Sequence, residues 1–466
     1  MQETILKEVT ITAISAEDKS LAKIDGKVIF VDNAVPGDVV DVRIYKSKKK
    51  YAHGSAIHWH TYSELRATPV CAHFGLCGGC KWQDIQYTQQ LIYKQQIVQD
   101  ALTHIGKLTD LPEVNATIGA AEQLYYRNKL QYGFSDKSIV YDDSFNNKMK
   151  FDDRPAAGFH VPKLFERILD IEKCWLQVEP TNAIRLFIKD FLLKNELSFH
   201  NIKRHEGWYR DLTVRTTSTG ALMVICSFYY KDEWVERLLF ELKQQFPQIT
   251  SLYYVINPKM NDYNTDLPMN LYYGEAHIYE NMGDLKFKIS PKSFFQTNTA
   301  QAIQLYDVAK SFAGLSGNEL VYDLYTGTGS IALYIARQAK HVVGIEYVES
   351  AIEDAKENAQ VNGITNCSFY AGDMGDVLNA DFVKANGKPD VIITDPPRAG
   401  MHSKVVQAIL AMDVERIVYV SCNPATQARD LELMNEKYKV VKIQPLDLFP
   451  HTTHVENVVL LVKRTV

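Results

Sequence analysis

The sequence has no apolar run approaching the roughly 20 residues that a membrane-spanning helix requires. Its opening residues, MQETILKEV, are charged and lack the apolar core of a secretion signal. No internal repeat and no low-complexity tract is present, which argues against a solenoid or a disordered scaffold. There is no excess of positive charge: 51 Lys and Arg stand against 56 Asp and Glu, for a net charge of -5. A surface coated in positive charge is excluded, whereas a local basic groove is not. An even-numbered, dense disulfide framework is also missing. The seven cysteines are Cys71, Cys77, Cys80, Cys174, Cys226, Cys367 and Cys422, an odd count with three tightly clustered. Together these absences predict a cytoplasmic protein with no membrane partner, in a reducing compartment where clustered thiols bind metal or do chemistry.

What is present is an ordinary globular composition, 46% apolar and 23% charged over 466 residues. At roughly 100 to 200 residues per domain, about three domains are expected. Residues 1–60 read as five short strands (VTITAIS, SLAKI, KVIFVDN, DVVDVRIYK and YAHGSAIHW) separated by turn signals such as DGK and PGD. That spacing fits a small OB-like barrel. Lys46, Lys48, Lys49 and Lys50 lie near the last turn, as a solvated hairpin tip or a phosphate-contacting loop. Residues 61–125 hold the clustered cysteines and a helix from about Gln86 to Ile105. Residues 126–288 mix strand patterns with two amphipathic helices, an α/β middle domain. Residues 289–466 alternate strand and helix, which predicts a mostly parallel, Rossmann-like sheet closed by an antiparallel edge.

Chemistry is concentrated in the last domain. Asp323 ends its first strand and leads into Tyr325-Thr-Gly327-Thr-Gly329-Ser330, a loop whose glycines let backbone approach a ligand. Glu346 ends the second strand, 23 residues later, where an acid can hydrogen-bond ribose hydroxyls. With Ala332 in the third glycine's place, this spacing alone suits NAD or S-adenosylmethionine (SAM). Asp373 ends the third strand and Asp395 opens DPPR at the end of the fourth; each has a helix-cap or turn reading beside the ligand one. The fifth strand runs into Ser421-Cys422-Asn423-Pro424. A strand-end cysteine is often only a small buried hydrophobe. Beside a methyl-donor pocket it has a specific use. Carbon 5 of a pyrimidine is a poor nucleophile until a thiolate adds to carbon 6. Glu456, in HTTHVENVV, is then the candidate base for the carbon-5 proton. His451 and His454 have the spacing of a metal pair but no supporting ligand pattern.

Taken together, DLYTGTGSIAL, DPPRAG, SCNPATQARDL and DLFPHTTHVENVVLL resemble the SAM-dependent RNA uridine-C5 methyltransferases, over nearly the whole chain. The resemblance implies Cys422 as nucleophile and Glu456 as general base. It implies SAM contacts at Gln296 (in FFQTN), Tyr325, Glu346 and Asp395, with Asp373 at the place of a further contact that is often Asn. Ser330 departs from the family pattern. The N-terminal barrel resembles a TRAM domain, with VPGD (Val35 to Asp38) as its turn; this points to the ribosomal branch and to 23S ribosomal RNA as partner, with transfer RNA as the alternative. Cys71, Cys77, Cys80 and Cys174 could hold zinc or iron-sulfur on chemistry alone. Their resemblance to that branch's ligand set implies a 4Fe-4S cluster in a structural role. Cys226 and Cys367 match no motif and are read as core residues.

An RNA uridine must be unstacked to meet Cys422. Arg127 and Lys129 in YYRNKLQ are candidate phosphate contacts, and Phe295 a candidate wall for the flipped base. No obligate protein partner is expected. Two other classes fit parts of the pattern: a SAM-dependent N-methyltransferase, which needs no nucleophilic cysteine, and a non-catalytic iron-sulfur RNA-binding or assembly factor.

Overall fold

The computed structural model describes every residue except 1–3, 16–18, 143–147, 163, 265 and 465–466. The first three residues of the charged opening segment therefore lie outside the described residues. The N-terminal barrel has six strands where the sequence pattern suggests five: Thr4–Thr10, Ala13–Ile14, Ser20–Ile24, Lys27–Asp32, Val39–Ser47 and Tyr51–Thr61. The extra strand arises because the VTITAIS run breaks at Ile11-Thr12. Alternation places Ile29, Val31, Val40, Val42, Ala52 and Ala56 in the interior. The PGD turn is tied down by Asp38, which accepts from Val35 N (2.8 Å), Ser63 N (2.9 Å) and Arg66 Nη2 (2.6 Å). Burial opposes its charge, but Arg66 and these amides hold its carboxyl below the usual range.

The middle domain is a nine-stranded sheet from Lys129–Ser135 to Asn270–Gly274, with helices Thr181–Lys194 and Glu233–Gln245 packed against it. The C-terminal domain is a seven-stranded sheet. Its order is Cys367–Ala371, His341–Glu346, Leu320–Leu324, Val391–Thr394, Arg416–Ser421, Glu456–Lys463 and Tyr438–Leu446. The first five strands are parallel; the chain's last strand inserts antiparallel between Arg416–Ser421 and the edge strand Tyr438–Leu446. Alternate residues go to opposite cores. Val321, Val391, Ile393, Val418 and Val420 face one, while Tyr322, Leu324, Ile392, Ile417 and Tyr419 face the other. Burial on both faces is what a doubly wound sheet requires.

The helix Tyr87–Asp100, extended by a π-helical turn at Ala101–Ile105, belongs structurally to this domain. Gly106 lets the turn approach the helix Pro424–Met434: a Cβ there would meet Ala428 O at 2.9 Å. Lys94 on the same helix is fully buried. Its Nζ donates to Asp447 Oδ1 (2.6 Å) and Phe449 O (3.2 Å), and Tyr87 Oη donates to Asp447 Oδ2 (3.0 Å). Gln90 brackets His451, accepting from His451 N (3.0 Å) and placing Nε2 3.2 Å from His451 Nδ1. Lys81 N and Trp82 N donate to His451 O. These bonds fix the loop that leads into Glu456, and Gln90 contacts the His451 ring at Nδ1.

Removing one partner of a buried ion pair strands the other charge, which typically costs about 3–5 kcal/mol. Lys94→Met should lower stability by that order in thermal or urea unfolding, with Lys94→Met/Asp447→Leu recovering much of the loss. Equal destabilisation by the single and double variants would show that the pair does not hold the loop.

Candidate active site

The ends of the parallel strands meet at one edge of the sheet, where open α/β folds bind ligands. Pairing sets Leu324 beside Ile345 on one side and Thr394 on the other. The next residues, Tyr325, Glu346 and Asp395, therefore stand in a row. Tyr325 has φ 64°, uncommon for a bulky side chain. It turns the chain into the glycine loop, where Gly327 (φ 55°) and Gly329 (φ 80°) continue in left-handed geometry. A Cβ on Gly329 would lie 3.1 Å from Ala355 and 3.2 Å from Phe369, so the loop packs closely as well as turning sharply. Gly327 N donates to Glu346 Oε2 (3.2 Å). Buried Asp323 braces the loop from below, accepting from Thr326 Oγ1 and from Ala332 N (3.0 Å). Burial pushes its carboxyl up to about 7.

Cys422 and Glu456 are brought together by strand register. Ser421 pairs with Asn457 in the antiparallel ladder, so Cys422 and Glu456 face each other one residue further on. Gln427 locks this end: its Nε2 donates to Tyr419 O (2.9 Å) and Asn457 O (3.2 Å), and its Oε1 accepts from Asn457 Nδ2 (2.7 Å). Asn423 caps the helix Pro424–Met434, so Cys422 sits just before a helix N-terminus, where partial positive charge favours a thiolate. Asn423 Nδ2 and Thr426 Oγ1 both donate to Arg398 O, clasping the DPPR loop to the cysteine turn.

These groups form one electrostatic set. Burial, then the charges of Glu456 and Asp395, push the half-buried Cys422 thiol up to about 11, against the opposing charge of Arg398. Burial and Asp395 push Glu456, 5% exposed, up to about 8, with Arg398 and Lys94 opposing. Burial and Asp323 push Asp395 up to about 7. A cation bound at this edge would favour the ionised form of all three acids at once. A sulfonium is such a cation, so the residues present fit SAM. Arg398 and Lys94 are functional neighbours that sequence reasoning missed. Arg398 was visible within DPPR, whereas nothing local marks Lys94.

The remaining candidates are placed differently. Half-buried Gln296 lies in the loop before the helix Thr299–Ala313; its carbonyl accepts from Asn128 Nδ2 (2.8 Å), which docks the middle domain onto this loop. Phe295 is not a free wall. It is 5% exposed and packs against Phe287 at 5.9 Å, while its neighbour Phe294 is 72% exposed. Chain parity turns the second aromatic inward. Asp373 is exposed and caps the short helix Met374–Val377, accepting from Gly375 N (2.9 Å), as its turn reading anticipated. Ser330 Oγ lies 3.0 Å from Tyr306 Oη. Arg127 lies over the Phe449 ring (5.3 Å). Lys129 pairs across the sheet with buried Arg215; burial and that like charge push it down to about 8. Cys226 is fully buried in the middle-domain core, and Cys367 is half-buried.

Cys71, Cys77, Cys80 and Cys174 converge from two domains. Burial raises all four thiols, with the charges of the other cysteines adding at Cys77, Cys80 and Cys174; Cys80 reaches about 11 and Cys174 about 12. Cys174 N donates to Asn182 Oδ1 (2.8 Å), and a Cβ on Gly78 would lie 2.9 Å from His160 O. A cleft between the barrel, the cysteine loop and the middle sheet borders Cys77 and Cys80. Among the described residues, no group of three or more Cys, His, Asp or Glu side chains that could hold a metal ion is formed. Four thiols are, by their chemistry, donors suited to zinc and to iron–sulfur alike.

No helix among the described residues is long and apolar enough to cross a membrane. Comparison with known proteins gives the same picture as the site. The family model for tRNA (uracil-5-)-methyltransferases matches residues 265–464, and the TRAM domain model matches residues 6–57. An uncharacterized RNA methyltransferase of Bacteroides thetaiotaomicron is 52% identical, covering 96% of this chain and 99% of the relative. One from Porphyromonas gingivalis is 49% identical, covering 98% and 99%. Among solved structures, the Pyrococcus abyssi tRNA (uracil-54, C5)-methyltransferase in complex with S-adenosyl-L-homocysteine superposes with a TM-score of 0.74 at 26% identity, covering 98% of this chain and all of that one. The chain, with its TRAM barrel and its cysteine-bearing methyltransferase domain, belongs to the SAM-dependent RNA uracil-5-methyltransferase family.

Proposed function

We propose that this protein transfers a methyl group from SAM to carbon 5 of a uridine in 23S ribosomal RNA. The observation that carries the reading is the register that sets Cys422 opposite Glu456, above the row of Tyr325, Glu346 and Asp395. SAM supplies an electrophilic methyl group. Gln296, Tyr325, Glu346, Asp373 and Asp395 are the proposed contacts for it. The Cys422 thiolate forms a bond to carbon 6 of the flipped uracil, which gives carbon 5 enolate character. Carbon 5 takes the methyl group, and S-adenosylhomocysteine leaves. Glu456 as carboxylate removes the carbon-5 proton, the carbon 6–sulfur bond breaks, and the 5-methyluracil ring is restored. Arg127 and Lys129 are proposed phosphate contacts.

Cys71, Cys77, Cys80 and Cys174 are proposed to hold a 4Fe-4S cluster that staples the cysteine loop to the middle domain. The resemblance of this cysteine set to the ribosomal branch supports ribosomal RNA as substrate, and a cytoplasmic site of action is proposed with it; the barrel fits either RNA, because the tRNA enzyme of Pyrococcus abyssi covers 98% of this chain. A second reading, transfer RNA, is favoured by the full-length likeness to the Pyrococcus abyssi enzyme, whose name specifies tRNA uracil-54. Mapping 5-methyluridine in cells lacking the protein separates the two. A site lost from 23S RNA is expected; loss from transfer RNA alone would overturn the ribosomal assignment.

Cys422→Ala should abolish methyl transfer while leaving SAM affinity within about twofold; turnover near wild type would favour N-methylation. Glu456→Gln should slow turnover by about 10²- to 10⁴-fold and accumulate a protein–RNA adduct resolved by denaturing gel. A slow variant with no adduct would place the proton elsewhere. Glu456 acts only when ionised and its carboxyl is raised to about 8. Single-turnover rates at subsaturating SAM should therefore rise with pH through that region. A profile flat from neutral to alkaline pH would contradict this role.

A further inference from the structure

A strip of aromatic and cationic side chains runs from the cysteine cluster to Cys422, and its outer end has no part in the chemistry above. Tyr125 and Trp175 lie 5.9 Å apart between ring centroids at a tilt of 50°. Lys173 Nζ lies 3.8 Å from the Trp175 ring centroid and 5.8 Å from that of Tyr125. The backbone fixes the arrangement: Tyr125 N donates to Trp175 O (2.7 Å), and Arg127 N donates to Leu176 O (2.8 Å). Tyr125 holds φ 56°, an uncommon conformation that projects a 37% exposed aromatic from a rigid bridge. The strip continues inward. Arg127 lies over Phe449, Phe449 meets His454 edge-on at 6.1 Å, and His454 Nε2 is 3.4 Å from Arg398 Nη2. Arg398 in turn acts on Cys422 and Glu456.

Exposed aromatic faces with a cation beside them are what single-stranded nucleic acids use. Every base has a π-face to stack, and the adjacent positive charge meets the phosphate. We propose that Tyr125, Trp175 and Lys173 form a stacking site for an unpaired base of the RNA strand that delivers the uridine to Cys422. The Lys173 ammonium covers the Trp175 face in the free protein. The base takes that place, and the lysine turns to the neighbouring phosphate. This rests on the RNA methyltransferase reading and adds what that reading lacks, a reason for the target strand to enter unpaired. It also gives the Cys174 segment a task at the RNA, since Lys173 and Trp175 flank that cysteine directly.

The test uses the full-length, metal-replete protein with a single-stranded RNA dodecamer carrying 2-aminopurine, whose fluorescence is quenched on stacking, and a blunt duplex of the same sequence as control. Wild type should quench the single strand. Trp175→Ala and Tyr125→Leu should each weaken its binding by about tenfold or more, leaving duplex binding and SAM affinity within about twofold. Trp175→Phe should restore the quench, and Lys173→Gln should reduce the salt dependence of binding. The visible absorbance of each variant reports whether the cysteine site is intact. Unchanged quenching in Trp175→Ala and Tyr125→Leu overturns the proposal, and so does equal loss of single-strand, duplex and SAM binding. Methyl transfer by wild type is read in parallel. Intact transfer with no effect of the aromatic variants sinks the stacking site alone, whereas normal quenching without transfer to uridine sinks the uridine reading alone.

Discussion

The antiparallel insertion of the last strand is the constraint on which the site depends. A purely parallel sheet would bring only the C-terminal ends of its strands to the ligand edge. By running the other way, Glu456–Lys463 brings its N-terminal end there, and the pairing of Ser421 with Asn457 sets an acid opposite the cysteine. A slip of one residue would turn Glu456 to the other face of the sheet. Gln427 and Asn457 hold this register with buried amide hydrogen bonds. Lys94 and Gln90 hold the loop that precedes it.

The same geometry sets the electrostatics. Asp323, Asp395 and Glu456 approach one edge, where burial and neighbouring carboxylates raise them together. Cys422 is raised with them. Burial and the neighbouring carboxylates thus oppose ionisation of the thiol in the protein alone. A positively charged methyl donor changes the balance in the useful direction, favouring the thiolate and the carboxylate together.

Much of this was legible in the sequence because it is local. Strand-end acids, the glycine loop and the SCNP turn each carry their signal within a few residues, and the alternation of strand and helix segments gives the doubly wound sheet. What was not legible is long-range or a matter of parity. Lys94 and Asp447 are 353 residues apart, and nothing near either announces the pair. Phe294 and Phe295 are indistinguishable in composition, yet one is solvent-facing and the other is core. Asp373 fits a cap and a donor contact alike, and composition does not say that a short helix begins after it. The Tyr125–Trp175 pair joins segments 50 residues apart through a backbone bridge that neither segment predicts.

The most direct test of the account is covalent capture. Fluorine at carbon 5 leaves no proton for Glu456 to remove, so the enzyme should stall with sulfur still bonded to carbon 6. Incubation with SAM and 5-fluorouridine-containing RNA from cells lacking the protein, followed by nuclease digestion and peptide mass spectrometry, should find a methylated fluorouridine on Cys422. Methyl transfer without an adduct on that cysteine, or an adduct on any other residue, would contradict the account.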